Sequence, residues 1–182
     1  SGDVEGGVVA GEADERGGAK GRKPIYLDIA PTAPVICGML IKRELLCVIF
    51  ADLKGKILSQ VDYPFESITA AALVDTLFDM YSELKERIRQ RILAIGISAL
   101  GPVDDTQQKI ANPAFFYGIK DLNISEIISR KSGLPSFLIH DVKAGALAEK
   151  VYGKAKKLEN FLYVHIMNGI GIGCMLQNSI YY

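Results

Sequence analysis

The sequence lacks a charge excess, a long apolar run and any cluster of metal-binding residues, and each shortage narrows the possibilities. Lysine plus arginine number 21 and aspartate plus glutamate also 21, so no global field draws the 182-residue chain to nucleic acid or to a membrane surface. Contact with either would need a local patch. No apolar stretch approaches the roughly 20 residues that span a bilayer. The Gly-rich, acidic start has no basic-then-apolar leader pattern. A soluble, cytoplasmic protein that does not enter the membrane is the expectation. The three cysteines, Cys37, Cys47 and Cys174, are odd in number, lack C-x-x-C spacing and sit in apolar runs. They are expected to be small buried hydrophobes in a reducing compartment. The two histidines, His140 and His165, have no neighbours to complete a ligand set, so no metal site is expected. His165 reads as structural, alternating within a strand.

What is present suits a globular protein with a real core: 49% of residues are hydrophobic and 23% charged. Residues 1–24 differ from the rest. They carry Gly6, Gly7, Gly11, Gly17, Gly18 and Gly21 with one apolar pair, Val8 and Val9. Such a stretch buries too little surface to offset the entropy of ordering it, which predicts a flexible linker. From Ile25 the pattern turns strand-like. Val35–Lys42, Glu44–Asp52 and Ile57–Tyr63 predict an antiparallel meander, with a turn at Lys54-Gly55. Leu73, Leu77, Tyr81, Leu84 and Ile88 recur at helical spacing. Arg91–Leu100 reads as a buried central parallel strand, broken by Gly101-Pro102.

Asn123 with Glu126 predicts a capping box opening a helix that Gly133 ends. Phe137–His140 is a short strand, and Asp141–Tyr152 a helix with Ala144, Leu147, Ala148 and Val151 on one face. Phe161–Ile166 and Ile170–Leu176 are strands around a Gly-rich turn, and another begins at Ser179. The order βββαβαβα and then βββ predicts one α/β domain over residues 25–139 and the start of a related second one over 140–182.

Three segments carry candidate chemistry. Asn168, Gly169, Gly171 and Gly173 form a turn whose backbone N–H groups could cradle phosphate or sugar oxygens; a plain hairpin turn has the same look. Asp141 follows a strand and opens a helix, so its carboxylate suits proton abstraction from a hydroxyl, or simply an N-cap. Asn112-Pro113 precedes Phe115-Phe116-Tyr117, which pairs a hydrogen-bonding amide with a stacking wall, or marks a turn and core aromatics.

Together these pieces resemble the ROK family of repressors and sugar kinases. The resemblance runs through Ala99–Asp105 (ALGPVDD), the segment GLPSFLIHDVKAGALAEKVYGKAK and the terminal ENFLYVHIMNGIGIGCMLQNSIYY. It implies an actin-like, ribonuclease H-like sugar-kinase fold, with two such domains closing over a sugar. It implies ligand contacts at Gly101, Asn112, His140 and Asp141, with Asp141 the catalytic base in a kinase, and a phosphate loop at Asn168, Gly169, Gly171 and Gly173. Kinases of the family carry Asp-x-Gly-Gly-Thr in the first hairpin, to organise metal and the phosphates of ATP. Here those positions are Leu40, Ile41, Lys42, Arg43 and Glu44. Leucine cannot bind magnesium, and a lost phosphate cradle should be severe for phosphoryl transfer. His140 and Lys143 stand where the family usually has asparagine, and Asn168 where its kinases usually have threonine.

The stretch from Glu5 to Ile29 resembles the wing of a winged helix-turn-helix with the family's Gly-Arg-Lys-Pro linker. Arg16, Lys20, Arg22 and Lys23 there could lie against DNA phosphates, or simply be solvated. The expectation is the effector-binding part of a sugar-responsive repressor: no cofactor, a sugar or sugar-phosphate effector, operator DNA bound through a head outside this sequence, and a homo-oligomer. The alternative is a sugar kinase acting on a hexose or N-acetylhexosamine with ATP and magnesium. The family's Cys-rich zinc site would lie beyond Tyr182.

Overall fold

The computed structural model describes residues 9–13, 25–167 and 169–182. Its main sheet is built from β3 (Val35–Ile41), β4 (Leu45–Ala51), β5 (Ile57–Pro64), β6 (Ile92–Ala99) and β9 (Ser136–His140), in the order β5-β4-β3-β6-β9. The first three form the expected antiparallel meander. β6 lies between β3 and β9 and is parallel to both. Before the sheet, β1 (Val9–Ala13) pairs antiparallel with β2 (Ile25–Ile29). Regular structure this early was not expected from the glycine content. An antiparallel pair is held by backbone hydrogen bonds that need no large side chains to form.

Helix α1 (Ala70–Lys85) lays Leu73, Leu77, Tyr81 and Leu84 on the sheet, as their spacing predicted. Thr69 caps it, its Oγ1 accepting from the Ala72 N–H at 3.2 Å. The helix ends before Ile88, which still packs against the core. Helix α2 (Ile124–Ser132) buries Ile124 and Ile128 in the same core and ends at left-handed Gly133, at φ 72°. The expected capping box does not form: Asn123 holds the N-cap position, but its side chain makes no capping bond. Between β6 and α2 lies a hairpin that the sequence did not announce, β7 (Val103–Asp104) with β8 (Lys109–Ile110).

The core is one-sided. Val35, Cys37, Met39, Ile41, Leu46, Val48, Phe50, Ile95, Ile97 and Ala99 point toward α1 and α2. The central placement of β6 was legible, but its burial on both faces does not hold. Leu93 is 37% exposed and Gly96 is also exposed, because both helices that pack on this sheet lie on one face of it.

Helix α3 (Asp141–Val151) follows β9 directly and packs on a separate antiparallel sheet of β10 (Phe161–Ile166), β11 (Ile170–Leu176) and β12 (Ser179–Ile180). The helix buries Val142 and Ala146; of the expected face, Ala144 is half-buried and Leu147, Ala148 and Val151 are exposed. The reason lies in the partner strands. Gly173 and Gly171 let β11 come close to Val142 and Ala146, and the Tyr163 ring fills the space left by Gly145. Cys37 and Cys47 are buried as expected, whereas Cys174 is only half-buried, on the far side of this second sheet.

Candidate functional site

The parallel strands β3, β6 and β9 end in register, with Ile41 beside Ala99 and Ala99 beside His140. Their following turns therefore gather at one edge, where ligands of open α/β sheets are usually held. A cleft of about 450 Å³ opens there. Lys42 and Arg43 line it from the β3–β4 turn, Gly101 and Pro102 from the turn after β6, and Ala114 from the following loop. His140, Asp141 and Val142 stand at the β9–α3 junction. His165, Gly169 and Gly171 come from the β10–β11 hairpin.

The cleft thus brings together Gly101, His140, Asp141, Gly169 and Gly171, all singled out from sequence. Each is placed by a local constraint. A side chain at Gly101 would overlap the His140 imidazole. Asp141 is the first residue of α3, with His140 in the N-cap position, so it does not cap the helix in the usual sense. Its Oδ1 accepts from the Val142 N–H at 2.7 Å and lies 3.2 Å from His140 Nε2. Oδ2 has no protein partner among the described residues.

Other expectations fare differently. Asn112 is exposed and does not line the cleft. Gly173 is a packing residue, since a Cβ there would run into the Val142 carbonyl oxygen. Asn168, Arg16, Lys20, Arg22 and Lys23 lie outside the described residues. The aromatic run divides: Phe116 is core, Phe115 is 86% exposed, and Tyr117 packs edge-on against Phe65. His165, read as structural, faces the cleft. Its phase with Tyr163, on the side of β10 that meets α3, was the available signal.

Arg43 was noticed in the sequence only as a replaced glycine. In the fold its Nη2 donates to the Ala114 carbonyl at 3.1 Å, and its guanidinium lies 5.9 Å from the Phe115 ring centroid. Tyr117 returns the contact, its hydroxyl donating to the Arg43 carbonyl at 3.0 Å. Phe115 and Tyr117 both have positive φ, 55° and 52°, a costly backbone state for aromatic residues. The Arg43 turn is the partner against which this loop is held. Lys143 does not reach into the cleft lining. Its ammonium pairs with Asp105 at 2.5 Å and lies 4.3 Å from the Tyr182 ring centroid. Gln108 braces the edge strand β9, its amide exchanging hydrogen bonds with Leu138 N–H and C=O at 2.7 and 3.1 Å.

The fold and the cleft define a class, an actin-like α/β protein with a cleft at the strand ends. The ROK family profile matches residues 42–182, and the chain belongs to that family. A xylose repressor of Bacillus spizizenii is 30% identical over 164 residues, covering 88% of this chain and 42% of the relative. A solved ROK family transcriptional regulator, a homologue of the Escherichia coli Mlc protein, superposes with a TM-score of 0.80 at 22% identity over 98% of this chain and 46% of its own. A ROK hexokinase from Thermus thermophilus superposes with a TM-score of 0.72 at 27% identity, covering 81% of this chain and 48% of the hexokinase. The chain spans less than half the length of the curated relatives it matches.

Proposed function

We propose that this chain is the effector-sensing part of a sugar-responsive transcriptional repressor, with a cleft that binds a sugar or sugar phosphate and does not phosphorylate it. The observation that carries this reading is the β3–β4 turn. A kinase of this family needs a carboxylate for metal and two glycines that let backbone N–H groups reach the phosphates. Leu40 offers no side-chain oxygen, and the side chains of Lys42 and Arg43 line the cleft at this turn, with Arg43 seated on Ala114 and Phe115. These residues do not fit magnesium-bound ATP, so no transfer step is assigned to them. The groups expected to face a sugar, Gly101, His140 and Asp141, line the same cleft.

The names of the relatives support repression of sugar genes, and the same reading places the protein in the cytoplasm, where the genes are. Operator DNA would be bound through a head outside this sequence, aided by Arg16, Lys20, Arg22 and Lys23. The whole protein would act as a homo-oligomer. A ligand changes such a protein only by preferring one arrangement of the lobes over another. The cleft suits that role, because its walls come from both the main sheet and the β10–β11 hairpin.

A second reading, an ATP-dependent sugar kinase, has the placement of Asp141 in its favour. Thermal-shift and coupled turnover assays separate the two. The repressor reading expects stabilisation by a sugar or sugar phosphate, no ATP-dependent product, and about tenfold weaker ligand binding in Asp141→Asn, the scale of one hydrogen bond to a charged group. Turnover in the wild type that Asp141→Asn abolishes would sink it.

A further inference from the structure

A second cavity, of about 470 Å³, opens between the end of β5, the flank of α1 and the loop after β8. Tyr63, Ser67, Ile68, Thr69, Thr76 and Tyr117 line it, and it shares no lining residue with the cleft. We infer that this cavity is a separate binding site for an uncharged polyhydroxyl compound, a mono- or disaccharide, and that its occupant acts on the cleft through the Tyr117 loop. The site goes beyond the effector reading above and does not depend on it.

The composition of the lining sets the ligand class. Five of the lining side chains carry a hydroxyl and none carries a charge. An ionic ligand would exchange its water for neutral partners alone, and burying a charge without a counter-charge is costly. A ring bearing several hydroxyls instead meets groups that both donate and accept. Two of the five hydroxyls are already engaged. Thr69 Oγ1 accepts from the Ala72 N–H at 3.2 Å, and the Tyr117 hydroxyl donates to the Arg43 carbonyl at 3.0 Å. Those of Tyr63, Ser67 and Thr76 have no protein partner among the described residues. Tyr63 is 45% exposed and Tyr117 37%, which leaves ring surface open to the apolar face of a sugar. The cleft differs in kind, since Lys42, Arg43, His140, Asp141 and His165 all line it.

One short loop joins the two cavities. Ala114 lines the cleft, and Tyr117, three residues on, lines the second cavity. Phe115 and Tyr117 hold positive φ there, a state kept only where the surroundings over-determine it. Two hydrogen bonds supply that restraint, from the Tyr117 hydroxyl to the Arg43 carbonyl and from Arg43 Nη2 to the Ala114 carbonyl. A ligand that packs on Tyr117 and takes its hydroxyl loosens the tie on Arg43 and Ala114, both in the cleft wall. Coupling of this sort is reciprocal, so a ligand in the cleft alters affinity for the second site by the same factor.

The test is an NMR titration of the isotope-labelled chain with xylose, glucose, maltose and glucose 6-phosphate. At least one neutral sugar should give saturable shifts at the amides of Ser67, Thr69, Thr76 and Tyr117. Arg43 and Ala114 should show smaller shifts on the same titration curve. Glucose 6-phosphate should bind at these amides no more tightly than glucose. Ser67→Ala and Thr76→Val should each weaken this binding about fivefold, the scale of one neutral hydrogen bond. Ser67 is exposed and Thr76 half-buried, so the fold should survive both changes. Tyr117→Phe keeps the ring but not the bond to Arg43. It should retain the shifts at Ser67 and Thr76 and lose those of the same curve at Arg43 and Ala114. Neutral sugars that shift cleft residues alone, or no residue, would overturn the site. Preference for the phosphate ester at these amides would overturn the ligand class, and shifts at Arg43 and Ala114 that survive Tyr117→Phe the coupling. The amides of Gly101, His140 and Asp141 report the cleft separately, so the effector reading stands or falls on its own.

Discussion

Gly173→Ala tests whether the glycines of the β10–β11 hairpin serve a ligand or the packing of the helix beneath. A Cβ at Gly173 would collide with the carbonyl oxygen of Val142, and next with Ala146 Cβ at 3.0 Å. Both belong to the buried face of α3, and the first is backbone, so no rotamer change can make room. Strand and helix would have to separate. Overpacking of this kind costs roughly 1–3 kcal/mol. A mid-range value of about 2 kcal/mol would lower Tm by about 4–8 °C for a domain of this size. Gly169 is the control, because a Cβ there meets nothing within 4 Å. It lines the cleft whereas Gly173 does not, so Gly169→Ala should change ligand binding more than stability. The assay is urea unfolding followed by circular dichroism, with calorimetric Tm values beside it. Equal destabilisation by the two substitutions, or a Gly173→Ala protein within about 0.5 kcal/mol of wild type, would refute the reasoning.

Two helix starts make a contrasting pair. Thr69→Ala removes the bond to the Ala72 N–H and should cost about 1 kcal/mol. Asn123→Ala removes no capping bond and should cost well under half of that in the same urea titration. Burial pushes the thiols of Cys37 and Cys47 up to about 12, the second with help from Asp62, against an ordinary value near 9. The folded protein therefore holds these protons after the unfolded chain has released them. The resulting stability is complete below pH 9 and is lost as pH rises toward 12. Cys37→Ala should show a shallower alkaline decline than wild type. In alkylation assays at neutral pH, half-buried Cys174 should react before either of the other two.

Much of the fold could be read in the residues because it follows from local rules. The meander, α1, the strand-then-helix alternation and the Gly133 stop each rest on a periodicity or a backbone preference contained in a short window. The misses have a shared cause too. Asn123 and Glu126 carry a capping pattern, but the N-cap backbone, at φ −74° and ψ 60°, does not aim the side chain at the helix start. The apolar face of Leu147, Ala148 and Val151 is a real pattern that meets no partner in the described structure. Asn112 has a suggestive neighbourhood in sequence and an exposed place in space.

The candidate site divides the same way. Asp141, His140, Gly101 and Gly169 could be singled out because each sits at or just past the end of a strand, and such places announce themselves in the residues. The sequence by itself also determined that Leu40 offers no metal ligand, since that follows from a side chain's chemistry alone. Only the tertiary structure decided that Gly173 serves packing, that His165 faces the cleft, and that Arg43 reaches across 71 residues of chain to Ala114. The physical reason is the parallel register of β3, β6 and β9. It sets three turns, distant in sequence, side by side, and the chemistry of the cleft belongs to their meeting.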